Sequence, residues 1–295
     1  MDSRRPSRPS RKLAKNRPAP PQPAAPGLVR INKFLAGQGF SSRRGSEEMI
    51  LSGAVSVNGE IITKLGTKVD PAVDRIEVNG KSIITNKTKV VYALNKPLGV
   101  VCTNAPEESR PRAIDLVRDP KGARLFCVGR LDMDSEGLVL LTNDGEFTNR
   151  VTHPRYGIGK SYYVKIRGEI TADALQKIQK GVWLAEGRTQ GARVYVRKRM
   201  KSSTVLMVTV REGMNREIRR IFAKLGFVVQ RLKRVAIGPV SVKGIGSGHY
   251  RKLTNDEIHK LLRTSKSGEP ASPAGPIVDS AAGEAEEGDD DGMDN

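Results

Sequence analysis

Three carboxylates and an arginine crowd one short stretch of this chain, Gly129-Arg-Leu-Asp-Met-Asp-Ser-Glu-Gly137. An ionised carboxylate held beside a guanidinium can act as a nucleophile or a base on a bound substrate. Such a group has to be positioned, and the next residues say how. Residues 137–141 are apolar and too few to lay out a helix with a polar face, so they predict a buried strand. Asn143 with Glu146 three residues on resembles a capping box, which predicts a short helix through Val151 that stops before Pro154. The acidic loop therefore sits on the lip of a packed scaffold. Read from the residues alone, Asp132 is either a turn residue bonded to its own backbone or a placed carboxylate.

A second cluster follows Glu212-Gly-Met-Asn215. Ile218, Ile221, Phe222 and Leu225 fall at i, i+3, i+4 and i+7, an amphipathic helix ended by Gly226. Arg216, Arg219 and Arg220 crowd its first turns, where the helix dipole repels cations. Between the clusters, residues 160–166 alternate as a strand does and carry Tyr162 and Tyr163. Residues 90–94 predict another strand, leading into Asn-Lys96-Pro-Leu-Gly99. A helix is expected over 173–181 and strands over 191–197, 204–211, 228–235 and 240–242. Thr254 with Glu257 caps a last helix to Leu262.

Ahead of these elements lies a smaller pattern. Ile31, Phe34 and Leu35 mark one helical face ended by Gly37 and Gly39. Ser42 caps a second helix with core positions Met49, Ile50 and Leu51, stopped by Gly53. Val-Asn58-Gly59 opens a hairpin, and a second Val-Asn-Gly stands at residues 78–80. Two helices and a small sheet make a minimal module, too small for an active site of its own.

Composition bounds the partners. The 295 residues carry a formal charge of +19. From Lys266 onward nine acids and one lysine give −8, so the first 265 residues hold 19 + 8 = +27. A body so basic wants a polyanion, with nucleic acid the first candidate. Anionic membrane is the rival, but no amphipathic anchor or long apolar run supports it. Residues 1–27, Pro-rich with seven Arg/Lys, and residues 265–295, Gly-, Ala- and acid-rich, are expected to be disordered. The acidic tail is expected to compete for the basic face, or else only to solubilise. Cys102 and Cys127 give neither metal-ligand spacing nor a disulfide framework, and the start lacks an apolar secretory segment, so the reading is a cytoplasmic protein.

Gly-Arg-Leu-Asp132, Asp-Ser-Glu-Gly-Leu and Leu-Leu-Thr-Asn-Asp-Gly145 together resemble the active-site motif of the RsuA/RluB family of pseudouridine synthases, with Ser135 where that family usually has Thr. The resemblance extends over most of residues 28–263. It implies that Asp132 is the catalytic aspartate and that Tyr162, rather than Tyr163, is a stacking platform for the target uracil. It implies that Arg219, in Asn-Arg-x-x-Arg-Arg, pairs with Asp132, and that Arg130 fills the space left by the flipped base. Glu217 stands where Gln is more usual. The front module, over about 28–86, resembles the S-four-type RNA-binding module, making Lys33, Arg43 and Arg44 candidates to meet RNA phosphates. Lys96, in Lys-Pro-x-Gly, is a further RNA-facing candidate or an ordinary surface lysine.

The implied reaction isomerises uridine to pseudouridine in ribosomal RNA, the large subunit being favoured, with neither cofactor nor metal and as a monomer. The expected fold is α+β, with a mainly antiparallel mixed sheet over 90–263, because strands outnumber helices without βαβ alternation. The alternative of a different class is a non-catalytic RNA chaperone or ribosome-assembly factor using the same basic surface.

Overall fold

A computed structural model of the chain describes residues 27–83, 88–105 and 107–267. The expected basic arm up to residue 26, most of the connector at 84–89 and the acidic tail from residue 268 lie outside them. The chain divides into two compact units, residues 1–85 and 86–295.

In the first unit, helix α1 (Ile31–Gly37) and helix α2 (Arg43–Leu51) bury Ile31, Phe34, Leu35 and Ile50 against Val55, Val69, Ile76 and Val78 of the small strands. Ser42 Oγ accepts the Gly45 amide, which caps α2 as expected. Leu51 corrects its expected core role, being 59% exposed. Three consecutive helical residues cannot share one face at 3.6 per turn, and Ile50 takes the inward position. A four-stranded antiparallel sheet runs in the order Glu60–Ile61, Val55–Val57, Ile76–Val78, Lys81–Ser82. Both of its hairpins turn on Asn-Gly pairs with positive φ, 53° and 88° at Asn58 and Gly59 and 49° and 73° at Asn79 and Gly80.

The second unit is built on a nine-stranded mixed sheet. Its path runs Arg193–Met200, Ser203–Val210, Lys160–Arg167, Val229–Ile237, Glu136–Thr142, Val91–Lys96, Tyr250–Lys252. Phe126–Val128 pairs with Glu136–Thr142, and Val240–Ser241 with Val229–Ile237. Every pairing is antiparallel except one. Val229–Ile237 meets Glu136–Thr142 in parallel over only Lys233↔Glu136 and Arg234↔Gly137.

Side chains leave a strand on alternate faces, and here both faces are covered. Val139 and Leu141 enter a core shared with α4 (Ala172–Lys180) and α5 (Glu217–Lys224), while Leu138 and Leu140 enter one shared with α3 (Gly145–Thr152) and α6 (Asn255–Ser267). That is why the run at 137–141 is apolar throughout. Gly137 makes the parallel seam possible. It sits at φ 105°, and a Cβ there would lie 2.2 Å from the Arg234 carbonyl oxygen.

Two caps were only partly legible. Asp144, not Asn143, caps α3, its Oδ1 accepting the Glu146 and Phe147 amides at 2.9 and 3.2 Å. Asn143 is occupied elsewhere, accepting the Val90 amide and donating to the Thr88 carbonyl. Thr254 and Glu257 do form the reciprocal box, Glu257 N to Thr254 Oγ1 at 3.2 Å and Thr254 N to Glu257 Oε2 at 3.0 Å. Helix α6 runs on to Ser267, past the expected end and past the expected start of the tail.

Candidate active site

The acidic loop, residues 129–135, leads straight into the buried strand Glu136–Thr142 and is pinned from several sides. The Leu131 amide donates to Cys102 Sγ at 3.4 Å, and Ser135 N closes a turn onto the Asp132 carbonyl at 3.1 Å. Gly99 N donates to the Met133 carbonyl at 2.9 Å, so the Lys-Pro-Leu-Gly turn at 96–99 is fastened to this loop. Arg234, 3% exposed, donates from Nε to the Leu138 carbonyl at 2.6 Å and from Nη1 to the Arg130 carbonyl at 3.4 Å. Its guanidinium thereby ties the loop to the strand across the parallel seam.

The turn at residues 212–216 reaches the loop from the other side. Arg216, the N-cap of α5, adopts φ 47°, ψ 33°, a left-handed conformation that costs a non-glycine residue about 1–2 kcal/mol. There its Nη1 donates to Asp132 Oδ2 at 3.3 Å and to Asp134 Oδ1 at 3.1 Å, and its Nη2 to Asp134 Oδ2 at 2.9 Å. These bonds hold the Asp134 carboxyl below its ordinary range. The expected pairing of Arg219 with Asp132 is corrected: Arg219 lies one turn into the helix, donates to the Asp134 carbonyl at 2.6 Å and the Val229 carbonyl at 3.2 Å, and approaches Asp134 Oδ2 at 3.3 Å. It braces the loop backbone, while Arg216 meets the Asp132 carboxylate. Arg220 pairs with Glu186 and does not enter the site.

Arg130, Asp132, Tyr162, Arg216, Glu217 and Arg234 line one cleft of about 360 Å³. Arg130 is exposed, Asp132 half-buried and Tyr162 8% exposed, so three of the sequence candidates converge here. Deeper in the cleft, burial first and then the charge of neighbouring Glu212 push the Glu217 carboxyl up to about 7. Glu217 Oε2 accepts the Met214 amide at 3.2 Å, closing the turn that carries Arg216. Lys160 Nζ donates to the Glu212 carbonyl at 3.2 Å, and burial, followed by the charge of Arg234, lowers its pKa.

Lys96 is corrected as an RNA contact. Its side chain is fully buried, with Nζ donating to the Pro97 and Val100 carbonyls at 2.8 Å each, and burial lowers its pKa. A cation held this way fixes its own turn and cannot meet a phosphate. Lys33, Arg43 and Arg44 lie exposed in the first unit. Sequence reasoning missed Arg216, Lys160 and Arg234. Arg216 was visible as an arginine at a helix start, but the positive φ that aims it was not. Among the described residues no group of His, Cys, Asp and Glu is placed to hold a metal, and no helix is long and apolar enough to cross a membrane.

Known proteins resemble this chain over most of its length. Residues 90–224 match the RNA pseudouridylate synthase family model and residues 29–74 match the S4 domain. The chain is 37% identical to ribosomal large subunit pseudouridine synthase B of Bacillus subtilis, covering 83% of this chain and all of that one. It is 36% identical to the dual-specificity RNA pseudouridine synthase RluF of Escherichia coli, over 81% of each chain. A crystal structure of a pseudouridylate synthase superposes with a TM-score of 0.57 at 30% identity, covering 79% of this chain and 99% of that one. With an S4 domain in front and a carboxylate loop facing an arginine across a cleft, the chain belongs to the RNA pseudouridine synthase family.

Proposed function

We propose that this enzyme isomerises a uridine of ribosomal RNA, in the large subunit, acting as a monomer, with Asp132 as the catalytic carboxylate. The name of the Bacillus subtilis relative supports the ribosomal large subunit as the substrate, while that of the Escherichia coli relative specifies RNA alone. The observation that carries the role of Asp132 is its position: a half-buried carboxylate lining the cleft, met by the Arg216 guanidinium at 3.3 Å.

The reaction breaks the bond between ribose C1′ and uracil N1, turns the base and joins C1′ to C5; C5 gives up its proton and N1 takes one up, so the mass is unchanged. It needs an ionised carboxylate near the glycosidic bond, and a guanidinium beside it favours the charged form and fixes its direction. Extruding the uridine from its stack costs a few kcal/mol. Arg130, exposed at the mouth of the cleft beside Asp132, has the planar group to fill the vacated space. Tyr162 presents a ring at the cleft wall on which uracil stacks. Arg219 acts through the loop backbone, holding Asp132 in place. Lys33, Arg43 and Arg44 supply phosphate contacts from the S4 domain.

The test is to incubate the protein with ribosomal RNA labelled in uridine and search the nucleosides for an isomer of unchanged mass. Product from large-subunit RNA alone supports the full reading. Product only from small-subunit RNA overturns the subunit assignment, and product from the Asp132→Asn variant overturns the role of Asp132.

A further inference from the structure

Tyr162 and Tyr163 are neighbours in Lys160–Arg167, so their side chains leave opposite faces of the sheet. Tyr162 faces the cleft, which leaves the reverse side unexplained. Following the register outward from Tyr163 gives a row across four strands: Tyr195, Met207, Tyr163, Lys233. Two residues along, the next row reads Lys198, Val205, Lys165, Arg231. Neighbouring strands lie about 4.8 Å apart, so each row spans roughly 14 Å.

Half of these eight positions are cationic, and the first row continues past Lys233 into Glu136. Tyr195 is 38% exposed, and Lys198 and Arg231 are exposed. Arg193, exposed on the edge strand beyond Tyr195, extends the field. Arg231 pairs with Glu136, whereas Lys165, Lys198, Lys233 and Arg193 have no ion pair among the described residues. Met207 and Tyr163 themselves pack into the core that helices α3 and α6 share around Leu138 and Leu140, and Val205 is buried, so the solvent-facing part of this face is at Arg193, Tyr195, Lys198 and Arg231.

Charged edge strands commonly serve to prevent edge-to-edge pairing. That accounts for Arg193 and Lys198 on the edge strand Arg193–Met200. It does not account for Lys165, Arg231 and Lys233, which stand on inner strands. The exposed cations Arg193, Lys198 and Arg231, with Tyr195 exposed among them and the half-buried Lys165 and Lys233 behind, suit a strand of phosphates with unpaired bases.

We infer that this reverse face is a second RNA-docking surface, which holds an unpaired stretch of the substrate RNA away from the segment in the cleft. The cleft then takes one nucleotide, while the reverse face adds affinity for long RNA without reading sequence.

The test uses the full chain and a fluorescent 30-nucleotide polyuridylate, with binding followed by anisotropy across a salt series. Arg193→Glu/Lys198→Glu is expected to weaken binding roughly 20-fold or more at about 0.1 M salt and to lower the salt slope by about 1.4, since two phosphate contacts are lost. Tyr195→Ala is expected to weaken it about tenfold at unchanged slope, through lost stacking. All three positions are exposed, and an unchanged thermal transition verifies that the variants fold. Wild-type binding by both variants overturns the inference. So does a loss limited to the charge variant, because bulk electrostatics then suffices. A concentration-dependent dimer that the same variants abolish also overturns it, assigning the face to a second copy of the chain. The readout is binding to an arbitrary RNA, so absence of product from ribosomal RNA counts against the proposed function and not against this surface.

Discussion

Both units of this protein are rich in ionisable side chains, and the exposed cations of the first unit's helices are used in the opposite way to the charged groups around the acidic loop of the second. In the first unit Lys33, Arg43 and Arg44 stand exposed, with no ion pair among the described residues. In the second, Arg216 and Arg219 are committed to the acidic loop, Arg234 to backbone carbonyls, Lys96 is sealed in its own turn, and Glu217 is 6% exposed beside another acid. The difference shows what a charge is for. A cation without a partner is available to a phosphate, whereas one with several partners sets geometry, and total charge does not distinguish them.

The sharpest way to break this contrast is at Asp132. Asp132→Asn keeps shape and removes charge, so we expect kcat to fall roughly a thousandfold or more while RNA affinity stays within about twofold. Single-turnover kinetics and a binding titration separate the two, and a proportionate loss of affinity would place Asp132 among the RNA-binding groups.

Next comes Glu217. Its folded pKa, raised to about 7 from an ordinary 4.5, contributes stability that is full below the unfolded value and lost as pH rises through about 7. The wild type should therefore lose up to about 3 kcal/mol between pH 4.5 and 8, and Glu217→Gln should abolish that slope. Thermal unfolding across this range decides it. A slope that survives in the variant would move the titration to another group.

Lys96→Met should destabilise the fold by about 2–3 kcal/mol, because it leaves the Pro97 and Val100 carbonyls without a donor. Denaturant midpoints measure this, and an RNA-affinity loss at wild-type stability would return Lys96 to the binding surface. Arg216→Ala and Arg219→Ala should each lower kcat about 10–100-fold. A guanidinium-bearing small molecule should rescue the first better than the second, since only Arg216 meets Asp132 directly. The smallest effect belongs to the exposed cations: Arg43→Ala/Arg44→Ala should weaken RNA binding a few-fold, reduce the salt slope by about 1.8 and leave kcat unchanged.

Much of this arrangement was legible in the sequence for identifiable reasons. The run at 137–141 could only be a buried strand, and the spacing of Ile218, Ile221 and Phe222 fixed the inner side of α5. Arg130 and Asp132 stand together in one motif, and Tyr162 was picked out by the resemblance from the alternating strand at 160–166. The partner of Asp132 was not, because choosing Arg216 over Arg219 depends on one left-handed backbone. Lys96 and Arg234 were opaque for another reason. A buried cation satisfied by carbonyls leaves no trace in side-chain spacing, since every residue supplies a carbonyl. Asp144 displaced Asn143 as a cap because Asn143 bonds residues more than 50 positions away.

The parallel seam also sets the order in which the active site is acquired. Lys233 and Glu136 are 233 − 136 = 97 residues apart, whereas the hairpin of Arg193–Met200 with Ser203–Val210 closes locally. Contacts between distant residues carry a larger loop-closure cost and form late in folding. The loop bearing Asp132 is therefore synthesised early, and the tie from Arg234 to Leu138 and Arg130 is the last of its several anchors to be added. A nascent chain that stops before Val229 contains every residue assigned a catalytic role and still lacks the strand that aligns them.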